Sequence, residues 1–218
     1  MLTKGPTGRT VRLRQRRRLT EPFDARPRGP AMIRAFVAIA LPDTIRSALA
    51  VEQFLLPLPR RVEPDSFHMT LCFLGEIPDV ILEAAHEGFS AIAMPAFPLT
   101  IAGLGLFGGA RPRVAWAGAE GGAPLLRLQA KVERAARVAG AEPEARRFTP
   151  HVTLGRFPPP APEERMRLER AIASGAGFQA GVFEVSAFTL FRSVRGAGGS
   201  RYEVLADYPL GRAGAQPA

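Results

Sequence analysis

The 218-residue sequence contains only one cysteine, one tryptophan and two tyrosines. A single cysteine, Cys72, excludes an intramolecular disulfide and a cysteine-ligated zinc site, and such cysteine usage is typical of a reducing cytoplasm. Cys72 lies in an apolar stretch, so we interpret it as a small buried hydrophobic residue. The sequence also lacks any apolar run of roughly 20 residues, the length that a membrane-spanning helix needs. We therefore expect a cytoplasmic protein without a membrane partner.

Positive charge is abundant but unevenly distributed. The chain has a formal net charge of +9, and residues 1–31 hold nine Lys and Arg residues against two acidic ones. That segment alone contributes +7, which leaves +2 for residues 32–218. The overall charge is therefore a poor argument for nucleic-acid binding by the rest of the chain.

Residues 1–31 are rich in Arg, Pro and Gly and have little apolar periodicity, which predicts a disordered basic leader. Two interpretations stay open: a basic arm that binds nucleic acid, or a translated leader upstream of a start at Met32. The second is favoured because a strand pattern begins at Met32. We predict a globular domain over residues 32–210 and a flexible tail over 211–218.

Helices and strands are both predicted within the globular part. Apolar residues at helical spacing predict four helices, over 43–56, 79–93, 123–139 and 163–174. Apolar alternation predicts strands over 32–40, 67–76, 97–107, 114–116, 151–157, 182–191 and 202–205.

One short motif occurs twice, as His68-Met69-Thr70-Leu71 and His151-Val152-Thr153-Leu154. In a strand, successive side chains alternate between faces, so each histidine lies on the same face as its threonine. A single copy would be weak evidence of function. Two of the three histidines lie in the motif, which makes a functional pair the stronger interpretation. The third, His86, lacks the motif, and we interpret it as an ordinary surface histidine.

A longer repeat accompanies the motif. Residues 99–107 align with residues 183–191 at an offset of 84, and the two motif histidines are offset by 83. The repeat predicts two similar lobes related by a pseudo-twofold axis. We expect two antiparallel sheets that face a central groove, with the helices on the outside. The two His-x-Thr strands would then face each other across the groove.

Two opposed histidines with neighbouring hydroxyls suit in-line displacement at phosphorus. One imidazole accepts a proton from the attacking oxygen, and the other donates a proton to the leaving oxygen. Threonine hydroxyls can donate hydrogen bonds to the non-bridging oxygens, where charge develops. This scheme requires no metal and no cofactor. Two alternatives are a pair of purely structural polar groups and a metal site, although neither motif has a third ligand at the expected spacing.

Three segments resemble the 2H phosphoesterase superfamily, which is defined by two His-x-Thr/Ser motifs: residues 34–42, 68–75 and 148–156. Within it, the sequence is similar to bacterial and archaeal RNA 2′,3′-cyclic phosphodiesterases, also called 2′-5′ RNA ligases. The resemblance covers about residues 32–209. It implies a bilobal α+β fold and hydrolysis of RNA 2′,3′-cyclic phosphate ends to 2′-phosphomonoesters, with ATP-independent 2′-5′ ligation as the reverse activity.

The resemblance also implies roles for the motif residues. His68 would donate a proton to the departing 3′ oxygen, and His151 would activate water as the base. Thr70 and Thr153 would hold the phosphate. The motif residues themselves are symmetric in these roles, so the assignment of acid and base depends on the resemblance alone.

Further residues are candidates for binding RNA around the groove. Six arginines in or near the predicted hairpins are candidates for phosphate contacts: Arg111, Arg113, Arg156, Arg192, Arg195 and Arg201. Phe73, Trp116 and Tyr202 are candidates for stacking on bases. We expect a monomer whose partner is an RNA with a 2′,3′-cyclic phosphate end, such as a tRNA or its fragments. Two alternatives are a related enzyme for a small cyclic nucleotide such as ADP-ribose 1″,2″-cyclic phosphate, and a non-catalytic module that binds RNA ends.

Overall fold

The computed structural model describes residues 32–145, 147–196 and 199–211, and it contains four α-helices and eight β-strands within these ranges. The elements are β1 (Met32–Ala40), α1 (Asp43–Leu55), β2 (His68–Pro78), α2 (Asp79–Ser90), β3 (Phe97–Phe107), β4 (Val114–Glu120), α3 (Gly122–Val138), β5 (His151–Arg156), α4 (Pro162–Ser174), β6 (Gln179–Val185), β7 (Ala187–Gly196) and β8 (Gly199–Pro209). The predictions for residues 1–31 and for 212–218 lie outside the described residues.

The four predicted helices are confirmed, and their ends lie within three residues of the predicted ones. The largest difference is at α2, which ends at Ser90 instead of residue 93. Beyond the helix, Met94 and Ala96 form backbone hydrogen bonds with Gly211. Gly211 was assigned to the flexible tail by the sequence prediction, but it is hydrogen-bonded to the domain.

The strands form one antiparallel sheet in the order β6-β3-β4-β5-β2-β1-β7-β8. The prediction of two separate sheets is wrong, because β5 and β2 pair in the middle of this order. Their ladder consists of a single residue pair, Met69 with Val152. The sheet therefore has two four-stranded halves, and each half has its His-x-Thr strand at the junction.

The predicted strand over 182–191 is in fact two strands, separated at Ser186. β6 pairs with β3 in one half of the sheet, whereas β7 pairs with β1 in the other. The chain thus crosses between the halves at Ser186. The predicted return strands also differ in position, since β4 is an interior strand and β8 is an edge.

One hydrophobic core lies under the sheet and explains which face remains open. The apolar sides of all four helices pack into the same core as Met69, Val152 and Leu154. α2 and α3 contact each other and β2, while α1 contacts β6 and α4 contacts β3. The helices thus cover the face of Met69 and Val152. In the described part of the chain, no helix is long and apolar enough to span a membrane.

Candidate active site

The Met69–Val152 pair brings the two motifs together. Both side chains are completely buried, so the neighbouring histidines and threonines project from the opposite, open face. In an antiparallel register, this pair places His68 opposite Thr153 and Thr70 opposite His151. Directly opposed residues have Cβ atoms about 4.5–5.5 Å apart, and diagonal residues about 7–8 Å. The two histidines are therefore diagonal neighbours, each facing the threonine of the other strand.

Both histidine rings are anchored in the same way. The Nδ1 atom of His68 lies 2.7 Å from the backbone oxygen of Ser66, and Nδ1 of His151 lies 2.7 Å from the backbone oxygen of Thr149. A carbonyl oxygen only accepts hydrogen bonds, so Nδ1 is the protonated nitrogen in both rings. The Nε2 atom of each neutral ring is therefore the one with a lone pair for a proton.

Aromatic side chains surround His68. Its ring centroid lies 4.8 Å from that of Phe36, 5.1 Å from Tyr202 and 6.2 Å from Phe191. The Tyr202 ring contacts His68 edge-on, at an interplanar angle of 88°. We predicted Tyr202 as a base-stacking residue, and the structure places it against the histidine.

Aromatic side chains also flank His151. The Phe107 ring is 4.9 Å away and edge-on, and the Trp116 ring is 6.4 Å away. Trp116 stacks on Phe107 at 5.1 Å and covers Gly105, where a Cβ atom would lie 2.1 Å from the indole Cζ2. Only glycine at position 105 leaves room for this arrangement. Trp116 was also predicted to stack on bases, and the structure places it against Phe107 and near His151.

Burial dominates the ionisation of His68. Burial and, to a smaller extent, the positive charges of Arg156 and His151 together lower the pKa of the ring from 6.5 to about 4. The hydrogen bond to Ser66 acts in the opposite direction but is the smaller effect. His68 is thus neutral near pH 7 in the unliganded protein, where it is a proton acceptor rather than a donor.

The six candidate arginines do not converge on one place. Arg156 lies at the end of β5, where its Nη2 atom is 3.4 Å from the Thr153 hydroxyl oxygen. Strand alternation places Arg195 on the open face with Phe191, where it forms a 3.5 Å ion pair with Glu76. The same alternation places two of the others on the opposite face of their strands: Arg192 and Arg201. The remaining two lie exposed in or beside the turn between β3 and β4: Arg111 and Arg113.

A cavity of about 350 Å³ opens beside the motif residues. Thr70, His151 and Arg156 are among the residues that line it. Its other walls come from β2, α3 and the segment 143–149, and they include the predicted stacking residue Phe73. Phe73 is 37% exposed.

Several residues of this site were missed by sequence reasoning. Those on the cavity walls are Gln129, Glu133, Glu144, Arg147 and Phe148. Helical spacing makes Gln129 and Glu133 resemble an ordinary solvent face, so no local signal marks them. Phe107 and Phe191 do have a signal, because they occupy equivalent positions in the 84-residue repeat.

Cys72 also borders the cavity, but only 5% of it is exposed, which confirms that it is buried. Burial raises the pKa of its thiol to about 12, so the reactive thiolate is scarce at neutral pH. His86 lies elsewhere, on the exposed side of α2, with its Nδ1 atom 2.8 Å from the Tyr208 hydroxyl. Within the described ranges, no three His, Cys, Asp or Glu side chains are grouped as metal ligands.

Comparisons with known proteins agree on one family. The sequence profile of the 2′-5′ RNA ligase superfamily matches residues 39–197. An RNA 2′,3′-cyclic phosphodiesterase from Aeropyrum pernix is 32% identical over 157 residues, which cover 71% of this chain and 88% of that protein.

Two solved structures are similar to this chain in both sequence and fold. Escherichia coli LigT complexed with 3′-AMP superposes with a TM-score of 0.69 at 29% identity, covering 82% of this chain and 98% of LigT. The protein TT0787 of Thermus thermophilus also has a TM-score of 0.69 and 29% identity, with 83% of this chain and 99% of that one covered.

Proposed function

Because the chain belongs to the 2′-5′ RNA ligase superfamily, we propose that it hydrolyses RNA 2′,3′-cyclic phosphate ends to 2′-phosphomonoesters. The observation that carries this proposal is the Met69–Val152 register, which puts two His-Thr pairs on one open face. Relatives named RNA 2′,3′-cyclic phosphodiesterase, and a LigT structure with the nucleotide 3′-AMP, support the choice of substrate. We assign the activity to residues 32–210, acting as a cytoplasmic monomer.

In-line displacement needs an acid and a base on opposite sides of the phosphorus. The diagonal arrangement of His68 and His151 provides such a pair, with both Nδ1 atoms anchored to the backbone. In our mechanism His151 removes a proton from water through Nε2, while His68 donates a proton to the departing 3′ oxygen. Each turnover therefore reverses which of the two histidines carries the extra proton. No metal participates.

Thr70 and Thr153 hold the non-bridging phosphate oxygens in this mechanism. Each threonine lies opposite the histidine of the other strand. A phosphate on the open face above the two strands is therefore within reach of both hydroxyls. Arg156, beside Thr153, adds a positive charge where negative charge develops in the transition state. The other candidate arginines that do not lie on the opposite face, namely Arg111, Arg113 and Arg195, are assigned to contacts with longer RNA substrates.

The low pKa of His68 must rise before the ring can act as an acid. The anionic substrate supplies this change, because its charge opposes the effects of Arg156 and His151. His68 thus gains its proton only when the phosphate is bound. Run in reverse, the same groups join a 2′,3′-cyclic phosphate to a 5′-hydroxyl without ATP.

The direct test uses RNA that ends in a 2′,3′-cyclic phosphate, incubated with the protein in EDTA. We expect a 2′-phosphate product, and a rate loss of at least about a thousandfold in His68→Ala and in His151→Ala. His86→Ala is the matched control, since this exposed histidine lies outside the site. Substrate binding without turnover would instead indicate a module that binds RNA ends. Turnover of ADP-ribose 1″,2″-cyclic phosphate alone would indicate a small-nucleotide enzyme.

A further inference from the structure

The pairing of β2 with β5 is not the only contact that joins the two halves of the sheet. The segment 60–62, which precedes β2, lies along the second part of β5, where Arg61 forms an isolated antiparallel bridge with Gly155. The fit is close, because a Cβ atom at Gly155 would lie 2.7 Å from the backbone oxygen of Arg60. The junction between the halves therefore has a second part, built by residues outside β2.

Gln53 of α1 completes this second part. Its side chain is 4% exposed, and its Nε2 atom lies 2.7 Å from the backbone oxygen of Val62 and 2.7 Å from that of Leu154. An amide NH₂ group has two hydrogens, so it donates one to each carbonyl. The backbone N–H of Val62 donates a further hydrogen bond to the Leu154 oxygen, at 2.9 Å. One buried side chain thus binds the backbone on both sides of the junction.

Arg61 fixes the end of α1 for this contact. Its guanidinium donates hydrogen bonds to the backbone oxygens of Gln53, Phe54 and Leu56, at 3.3, 3.3 and 3.1 Å. Carbonyls at the C-terminal end of a helix have no partner within the helix, so a side chain that binds them stabilises this end. The backbone from which the Gln53 side chain extends is therefore held in place.

Both carbonyls that bind the Gln53 amide are close in sequence to residues of the candidate active site. One belongs to Leu154, which directly follows Thr153. The other belongs to Val62, four residues before Ser66, whose oxygen anchors the His68 ring. The amide therefore links the backbone that carries the Thr153 hydroxyl to the backbone that orients the His68 ring.

The other side of the junction is packed less completely. There, the 350 Å³ cavity is bordered by β2 and by the segment 143–149, which precedes β5. A single residue pair between β2 and β5 leaves the angle between the halves free to vary, so this angle depends on the contacts at Gln53. A change in the angle moves Thr153 relative to His68, and a misplacement of about 1 Å can cost on the order of a hundredfold in rate.

We propose that Gln53 is a positioning residue for the reaction at phosphorus, because it sets the distance between the Thr153 hydroxyl and the His68 ring. Gln53 is buried, so it acts through the two carbonyls and does not contact the substrate. This inference rests on the function proposed above and adds to it a residue that lies outside both motifs.

The test removes the two donors and measures kcat and KM separately. Gln53→Met has a side chain of similar length that cannot donate to either carbonyl. With RNA that ends in a 2′,3′-cyclic phosphate, we expect kcat and kcat/KM to fall together, on the order of ten- to a hundredfold, and KM to change by less than about threefold. Gln53→Asn, which is shorter by one methylene, should lower kcat in the same way because its amide cannot reach both carbonyls.

Leu168→Ala is the control for a loss of stability alone. It truncates a side chain of α4 that is 1% exposed, so it should lower the melting temperature, as Gln53→Met does. At a temperature where both variants are folded, Leu168→Ala should keep kcat. A folded Gln53→Met with unchanged kcat would overturn the positioning role. If Gln53→Met does not fold, Gln53→Asn is judged by the same criterion.

Amide hydrogen exchange tests the junction independently of the reaction. The N–H of Val62 should exchange on the order of tenfold faster in Gln53→Met than in the unaltered protein, whereas Leu168→Ala should leave its exchange unchanged. Equal protection of this N–H in the unaltered protein and in Gln53→Met would overturn the proposal even if activity fell. Hydrolysis that neither Gln53 variant slows would reject only the role of Gln53, while absence of hydrolysis in the unaltered protein would reject the proposed function.

Discussion

Phe107 and Phe191 are 84 residues apart in the sequence, and each lies beside the motif histidine of its own half of the sheet. The repeat therefore duplicates the surroundings of the histidines as well as the His-x-Thr motifs. The duplication is incomplete. Phe36 and Tyr202 lie beside His68 in addition to Phe191, whereas His151 borders the cavity. The two histidines consequently differ in their access to water.

The first prediction uses this equivalence. Phe191→Ala should raise the pKa of His68 toward 6.5, because water enters where burial now lowers it. Phe107→Ala changes the equivalent ring beside His151 and is the matched control, so it should leave the pKa of His68 near 4. NMR titration of the imidazole resonances measures both. Equal shifts in the two variants would contradict the role of local burial.

The second prediction concerns bound anion. Inorganic phosphate at saturation should raise the pKa of His68 above about 4, because its negative charge offsets those of Arg156 and His151. The pH profile of kcat/KM reports the pKa values of the free protein, and the profile of kcat reports those of the complex. With a higher pKa of His68 in the complex, kcat should persist to higher pH than kcat/KM does. Arg156→Gln should already raise the pKa of His68 without phosphate. A pKa that phosphate does not move would remove the basis for His68 as an acid.

The third prediction follows from the same pKa through its effect on stability. An exposed histidine in the unfolded chain titrates near 6.5, whereas His68 in the folded protein titrates near 4. The unfolded state binds the proton more readily, so this contribution is complete above pH 6.5 and is lost as the pH falls toward 4. Between pH 7 and pH 5 we expect a loss of roughly 2 kcal/mol in the free energy of unfolding. Urea denaturation of the unaltered protein and of His68→Gln isolates this loss, which the variant should lack.

The fourth prediction tests the packing behind His151. Gly105→Ala forces Trp116 to move, since the new methyl group would lie 2.1 Å from its Cζ2 atom. The displaced indole pushes on Phe107, so we expect about 1–3 kcal/mol of destabilisation and a lower kcat. Gly177→Ala is the control, because nothing lies within 4 Å of a Cβ atom there. Thermal denaturation and steady-state kinetics measure the two effects, and similar behaviour of both variants would refute this packing argument.

Local pattern was sufficient for the helices and for the face on which the motif residues lie. Strand alternation put His68 with Thr70, and His151 with Thr153, on the open side of the sheet, and helical spacing located α1 to α4. These features depend on neighbours in sequence, which is where periodicity is informative.

Long-range pairing was not accessible in the same way. The joining of the two halves depends on the contact between Met69 and Val152, which are 83 residues apart and look like any buried strand residues. The break at Ser186 was hidden because apolar residues continue on both sides of it. The cavity was hidden too, since Gln129 and Phe148 come together only when α3 and the segment 143–149 pack beside β2.

The crossing at Ser186 has a consequence for the order in which the protein forms. The half of the sheet with His151 is composed of β3 to β6, an uninterrupted stretch from residue 97 to residue 185. The half with His68 begins at residue 32 but lacks β7 and β8 until residues 187–209 have been synthesised. Because such distant strands pair late, β1 remains without its β7 neighbour on the ribosome through most of translation. The two histidines meet in a finished site only when the last strands leave the ribosome.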